Sequence, residues 1–169
     1  MGRFSLLMGP IRVPPSGTKG SRMPGGRLLT KLAKPFLNMQ VARYRKAESA
    51  EPGKFMGFPI LLLTTVGAKT GAEHTHVLGG FPDGENAWLV IASKGGSATH
   101  PHWFHNLAKS PDKVWIQVGN RKLRVNVESL QGAQREAAYG RVVAVAKNYG
   151  DYLKKTDREI PVLRLTPAE

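Results

Sequence analysis

The sequence predicts an antiparallel α+β fold: a small barrel of six strands with flanking helices. Three observations carry that expectation. The apolar stretches are mostly short and end in Gly, Pro, Asn or Asp, as strands do. Most successive stretches are separated by turns too short for a parallel crossover, so they pair as hairpins. Only two gaps between strands are long enough to hold a helix.

Taken in order, residues 1–27 are rich in Pro, Gly, Ser and basic side chains and read as disordered. Residues 28–54 form a basic amphipathic region. Leu28, Leu29, Leu32, Phe36, Leu37 and Val41 recur at roughly helical spacing among Lys and Arg, with Pro35 expected to start a new helix or kink this one. Such a helix either packs its apolar face on the domain or lies on an anionic membrane surface.

Residues 55–169 hold the barrel. Phe58 to Val66 is a continuous apolar run, read as a strand buried on both faces. Gly67-Ala68-Lys69-Thr70-Gly71 turns it into Glu73–Phe81, and Pro82-Asp83-Gly84 turns that into the Trp88–Ile91 strand. Lys113–Val118 and Arg121–Val127 alternate apolar with polar around Gly119-Asn120, a hairpin with one wet face. Gln131 to Asn148 has helical spacing, and Ile160–Leu165 is the last strand.

Composition narrows the function. The 169 residues suit one domain with a real core. The absence of cysteine excludes a disulfide scaffold, thiol catalysis and Cys-ligated zinc, and suits a reducing cytoplasm. No apolar run is long enough to span a bilayer, and the prolines after Met8 argue against a cleaved signal peptide. The net charge of +13 is concentrated before residue 59, where eleven Lys and Arg face two acids. Most of the aromatic residues lie beyond it, in the central and C-terminal parts, so no nucleic-acid partner is expected.

The chemistry concentrates in residues 92–106, where the Trp88 strand empties into Ser93-Lys94-Gly95-Gly96 and Pro101 stands where a helix begins. Backbone amides without a ladder partner, beside Lys94, suit an anionic or carbonyl-rich ligand; a plain turn using the positive φ of glycine is the alternative. The Gly67–Gly71 turn resembles a phosphate loop but lacks the P-loop spacing and is followed by a strand. Lys69 there is either a phosphate contact or a solvated lysine. His74 and His76 share a strand face, and His102 and His105 a helix face. Without a carboxylate motif among them, no metal is expected. Trp103, Tyr149 and Tyr152 offer planar walls for a flat ligand or ordinary packing. Neither a Ser-His-Asp series nor a carboxylate pair is present, so a cofactor is expected to bring any chemistry.

Four blocks carry a resemblance. Pro59 to Gly71, Ala92 to Gly96, Pro101 to Leu107 and Thr156 to Val162 resemble, in order and spacing, the deazaflavin (F420)-dependent nitroreductase family of actinobacteria, including its F420H2-dependent quinone reductases. The resemblance implies a split β-barrel, FMN-binding-like in shape, that binds coenzyme F420, a deazaflavin with a phosphate and a glutamate tail. It implies cofactor contacts from Lys69, Thr70 and Gly71 at the phosphate, and from Ser93, Lys94, Gly95, Gly96, Pro101, Trp103 and Asn106. Ser93, Tyr149 and Tyr152 would face the acceptor as catalytic residues, the tyrosines donating a proton. The implied activity is hydride transfer from reduced F420 to a quinone-like or nitroaromatic acceptor. The expected location is cytoplasmic, with the basic helix as a peripheral contact to the inner membrane face. An FMN-binding split-barrel oxidoreductase, or a non-catalytic cofactor- or lipid-binding protein, are the alternatives. Four positions depart from the family pattern: Ala68 and His74 each replace an arginine, Gly79 an aromatic residue and Ala146 a tyrosine. A wider pocket is the expected consequence.

Overall fold

The computed structural model describes residues 11–22 and 26–168. The expectation of disorder for residues 1–10 and 23–25 lies outside the described residues. Helix α1 (Gly26–Arg45) leads into strands β1 (Lys54–Phe55), β2 (Phe58–Val66), β3 (Glu73–Gly79), β4 (Phe81–Pro82) and β5 (Trp88–Ile91). Helix α2 (His102–Lys109), strands β6 (Trp115–Val118) and β7 (Arg121–Ser129), helices α3 (Gly132–Val145) and α4 (Asn148–Lys155), and strand β8 (Val162–Pro167) follow.

All pairings are antiparallel, in the order β1-β2-β6-β7-β8-β5-β4, with β3 on the other edge of β2. The six expected strands are all present; β1 and β4 are two-residue additions at the margins. The β2–β3 hairpin is in register from Val66↔Glu73 to Ile60↔Gly79. The sheet curls into a half-closed barrel, the split form.

The curl is held by two apolar clusters. Inward residues of β2, β5, β6, β7 and β8, among them Leu61, Leu63, Val90, Ile116, Val125, Val127 and Leu163, close around Phe104 and Leu107 of α2. The second cluster seats α3 and α4 on the sheet through Tyr139, Val142 and Tyr149 against Phe58, Phe81, Ile91 and Ile160. A fully buried aliphatic or aromatic side chain stabilises by roughly 1.5–3 kcal/mol, so these clusters dominate the fold's energetics.

Three expectations are corrected. Helix α1 runs through Pro35 without a break: residues 31–39 are solvent-exposed, so water can satisfy the carbonyl that proline leaves unbonded. Leu32, Phe36, Leu37 and Met39 are exposed, and the helix docks chiefly at its C-terminal end. There the buried Tyr44 donates to the Ile60 carbonyl (2.8 Å) and accepts from the Gly119 amide (3.0 Å). The helix expected to Asn148 stops at Val145, and a separate α4 begins at Asn148. Residues 11–22, within the segment read as disordered, lie as an irregular strap bonded to the 94–98 turn and to residues 156–157. Proline and glycine make the strap non-repetitive, and its hydrogen bonds come from tertiary neighbours.

Candidate cofactor site

Strand β5 is buried along its whole length and ends at Ile91, where the ladder to β8 stops. The chain then turns through Lys94 (φ 45°), Gly95 (φ 62°) and Gly96 (φ 82°), three successive left-handed residues. Glycine takes that conformation freely; for lysine it costs roughly 1–3 kcal/mol, sustained only by surrounding structure. A side chain at Gly96 would meet the Lys155 Cβ at 2.9 Å and the Tyr152 carbonyl at 3.2 Å, so the turn is pressed against α4. One at Gly95 would meet nothing within 4 Å. The exposed face of the turn therefore stays open beside the Lys94 ammonium. Gly96 and Ser97 donate back to Ser93 and Lys94. Lys94 and Gly95 are exposed residues whose amides have no acceptor among the described residues, which makes them available to a ligand.

The keystone of this turn is Arg158, only 6% exposed. Its guanidinium donates to the carbonyls of Ser93 (2.7 Å), Ser97 (2.7 Å) and Ala92 (3.1 Å), and to Nδ1 of His100 (3.1 Å). No carboxylate pairs with it among the described residues; peptide oxygens solvate the charge instead. Drawing three carbonyls inward on Arg158 fixes the backbone of residues 92–97 in the conformation that exposes its amides. Burial pulls the Arg158 pKa down from its ordinary value, though a guanidinium remains charged throughout the accessible range.

His100 completes this layer. Its Nε2 lies 2.7 Å from the Pro14 carbonyl, which only accepts, and its Nδ1 faces Arg158, which only donates. The ring is therefore the neutral tautomer with its proton on Nε2. Burial, with Arg158 adding repulsion, holds its pKa below the usual histidine value. Through Pro14 the strap joins the site. Gly17 and Ser21 amides donate to the carbonyls of Ala98 and Gly96, and the Ser21 hydroxyl donates to Gly95. Asp157 accepts from the Thr18 hydroxyl and from the amides of Thr18 and Lys19. These bonds hold the Asp157 carboxyl well below the usual carboxylate range, at about 2.

Helix α2 links this turn to the one at residues 67–71. Pro101 caps its start. Asn106 accepts from the Ala68 amide (3.0 Å), and the Lys109 ammonium donates to the Ala68 carbonyl (2.6 Å). Lys69, Thr70 and Gly71 stand exposed at the tip, with Gly71 at φ 71°. Lys109 brings a cation to a turn that lacks the family's arginine at position 68. His105 feels the charges of His102 and Lys94, and His76 those of His74 and His102. The histidines thus form a row between the two turns, and no group of three could hold a metal among the described residues. Desolvation pulls the pKa of His76 and of His105 down, and the neighbouring cations add to it.

The aromatic residues divide. Trp103 is 5% exposed and packs into the barrel core, its ring edge-on to Phe104 at 6.4 Å; it braces α2 from inside. Tyr149 is buried among Phe58, Phe81 and Tyr152. Tyr139 donates to its carbonyl at 2.6 Å. A Cβ on Gly79 would lie 2.6 Å from the Tyr149 hydroxyl and 3.1 Å from Phe81, and Ala146 is buried in the same cluster. The wider pocket expected at Gly79 and Ala146 is therefore not there: Tyr149 and Phe81 occupy the space. Burial drives the Tyr149 pKa far above the usual tyrosine value, which suits a hydrogen-bond donor better than a proton source. Tyr152 is half-buried, accepts from the Asn148 amide at 2.9 Å, and carries the Lys155 ammonium 5.7 Å from its ring centre. Ser93 is nearly buried, and its hydroxyl caps no helix.

Sequence reasoning singled out the turn, Lys69 and the tyrosines but missed Arg158, His100, Lys109 and the strap. Arg158 lies in the marked block Thr156–Val162 and His100 in the marked stretch 92–106, but neither is given a role there.

The donor set suits an anionic cofactor: two exposed turns carrying Lys69, Lys94 and Lys109, with open backbone at Gly95 and Gly71. Comparison with known proteins agrees. Residues 36–167 match the family model described as F420H(2)-dependent quinone reductase. An F420H(2)-dependent quinone reductase of Mycobacterium tuberculosis is 40% identical over 113 residues, covering 64% of this chain and 73% of that protein. The solved structure of an F420-H2 dependent reductase (FDR-A) superposes with a TM-score of 0.58 at 35% identity, over 63% of this chain and 93% of the other. A second structure, described as a domain-swapped dimer, gives 0.60 at 30% identity, over 78% and 98%. This chain belongs to the F420H(2)-dependent quinone reductase family, and its cofactor is coenzyme F420.

Proposed function

We propose that the enzyme reduces a quinone-like acceptor with F420H2, between the Lys94 turn and α4. The observation that carries the reading is the left-handed turn itself, cationic, open at Gly95 and pinned from behind by Arg158. When bound, the reduced deazaflavin supplies a hydride from its central ring. The chain's own residues align and exclude. Lys69, Thr70 and Gly71, assisted by Lys109, hold the phosphate. Lys94 and Gly95 offer amides and charge to the cofactor and Gly96 holds the turn in shape, while Pro101, Trp103 and Asn106 keep α2 and the two turns in register. Ser93 and Tyr152 orient the acceptor by hydrogen bonds, and Tyr149 fixes the place of Tyr152. Alignment of this kind is worth several kcal/mol of barrier. Nitroaromatic compounds, being flat and electron-poor, are expected as incidental acceptors.

The exposed apolar face of α1, flanked by cations, favours an apolar acceptor taken from a lipid surface. No helix among the described residues is long and apolar enough to cross a membrane. Helix α1 nevertheless exposes Leu32, Phe36, Leu37 and Met39 between Lys31, Lys34 and Arg43. Such a face adsorbs to anionic lipid through apolar insertion and charge together.

The test is a side-by-side fluorescence titration with F420 and FMN, followed by F420H2 oxidation with a menaquinone analogue. F420-selective binding and quinone-dependent oxidation are expected. Preference for FMN would overturn the cofactor placement, and F420 binding without turnover would leave a carrier.

A further inference from the structure

We propose that the strap and the Lys94 turn together form a second anion subsite, which receives the glutamate tail of the deazaflavin. The proposal rests on the function just given and extends it to a part of the chain before residue 36, outside the segment that the family model matches.

Strap and turn enclose a hollow of about 590 Å³, within the range of small-molecule sites. Its lining carries the side chains of Lys19, Arg22 and Lys94, with the hydroxyls of Thr18, Ser21 and Ser97 between them, and none of its described lining residues is acidic. Gathering three cations around one hollow is unfavourable unless an anion offsets them. The strap's position does not depend on the Lys19 and Arg22 side chains. Backbone groups and small hydroxyls anchor it: Gly17 and Ser21 amides to Ala98 and Gly96, the Lys19 carbonyl to the Thr156 hydroxyl (2.9 Å), and the Ser21 hydroxyl to Gly95. At Gly20 the strap touches the turn backbone to backbone, since a Cβ there would lie 2.1 Å from the Ala98 amide nitrogen. The Asp157 carboxylate is taken up by Thr18 and the Lys19 amide. Lys19 and Arg22 are thus exposed cations on a fixed backbone, with no protein partner among the described residues. Lys94 belongs both to this hollow and to the turn that faces the cofactor. The glutamates follow the phosphate in the cofactor, so from the Lys69 turn the tail runs back past Lys94 to reach Lys19 and Arg22.

The chemistry recognised is a chain of carboxylates or phosphates. It has two sources, the cofactor's tail or a free polyanion, and the experiment separates them. Binding of F420 and of the deazaflavin core stripped of phosphate and glutamates is measured by fluorescence, for the wild type and for Lys19→Gln/Arg22→Gln. Inorganic pyrophosphate is used as a competitor. Because both side chains are exposed and hold nothing among the described residues, the variant is expected to fold as the wild type. F420 affinity should fall about fivefold to tenfold, the scale of two exposed charge contacts, and less at high salt. Affinity for the stripped core should not change.

Equal loss for F420 and the core would mean that the strap only supports the turn, and would overturn the subsite. No loss for either would overturn it as well, leaving the cofactor site intact. Pyrophosphate that displaces F420 from the wild type but not from the variant is the result expected of a shared hollow. Pyrophosphate that protects Lys19 from acetylation yet leaves F420 affinity unchanged would make a free anion the ligand of the hollow, against the tail assignment. A wild type that binds neither deazaflavin form would refute the function proposed above rather than the hollow. In that case protection of Lys19 from acetylation by pyrophosphate decides whether an anion site exists there.

Discussion

Arg158→Met tests whether one buried guanidinium sets the shape of the cofactor turn. The substitution keeps a long apolar stem but deprives the carbonyls of Ala92, Ser93 and Ser97 of their shared donor, and it also frees Nδ1 of His100. Arg158 and Ser93 are nearly buried, and Ala92 is wholly buried, so water reaches these acceptors only if the loop opens. The Ser93 carbonyl keeps the Gly96 amide, so the acceptors left without a donor are the Ala92 and Ser97 carbonyls and His100 Nδ1. An unsatisfied buried acceptor costs about 1–3 kcal/mol, and three at the lower end give about 3 kcal/mol. Partial opening of the loop caps the total near 5 kcal/mol, the usual upper cost of breaking a buried charged network. For a domain of this size that lowers Tm by roughly 6–20 °C. Arg158→Lys should recover only part of the loss, since a single ammonium cannot span acceptors arranged for a planar fork. Chemical denaturation gives the stability change, and F420 titration at a temperature where the variant is folded gives the effect on the turn. A methionine variant within 1 kcal/mol of wild type, binding F420 normally, would refute the keystone argument.

Other expectations follow from the same geometry. Lys69→Ala should weaken F420 by about 1–3 kcal/mol, the scale of one charge-assisted contact, with no change in Tm because the side chain is exposed; unchanged affinity would remove Lys69 from the site. Gly79→Ala drives a methyl group against the Tyr149 hydroxyl, so it should cost about 1–3 kcal/mol and bring the Tyr149 titration back toward the ordinary tyrosine range, read by ultraviolet difference spectra. Lowering the pH should destabilise the fold in two windows. His76, His100 and His105 have folded pKa values below 6.5, so the unfolded chain binds more protons just below that point and stability falls as pH drops through it. Asp157, held at about 2, contributes stability above about pH 4 that is lost as pH falls toward about 2. Urea denaturation across the histidine window reads the first effect, and a flat profile there would contradict the fixed neutral tautomer of His100.

The strands were readable because β2, β6 and β7 carry their burial in their own order of residues, as an apolar run or an alternation, and Gly67, Gly71 and Gly119 mark the turns. The Lys94 turn was readable for a similar reason: two glycines between a buried strand and a proline-capped helix are a local signal. Arg158 was not, because its acceptors lie 58 to 66 positions away, and nothing within Thr156-Asp157-Arg158 distinguishes a buried fork from a surface charge. The strap misled for a related reason. Its prolines and glycines exclude any repeating pattern, yet Gly20 serves close contact between backbones and Gly17 leaves room for the Asp157 carboxylate, and such contacts have no periodicity to detect. Helix α4 is mostly polar and short, and only the seating of Tyr149 shows which face it buries. Trp103 displays the converse error, a residue that suggests a ligand wall but is drawn into the core by its own bulk.

The tether between Thr18 and Asp157 joins groups 139 positions apart, and this has a consequence for biogenesis. During translation the 92–98 segment emerges long before Arg158, so its carbonyls must wait for a donor synthesised near the end of the chain. High sequence separation of this kind slows the last ordering step, and during vectorial synthesis the nascent barrel carries an unfinished turn. The cofactor turn is therefore expected to be the last part of the protein to mature, closed only when both ends of the polypeptide have arrived at the same place.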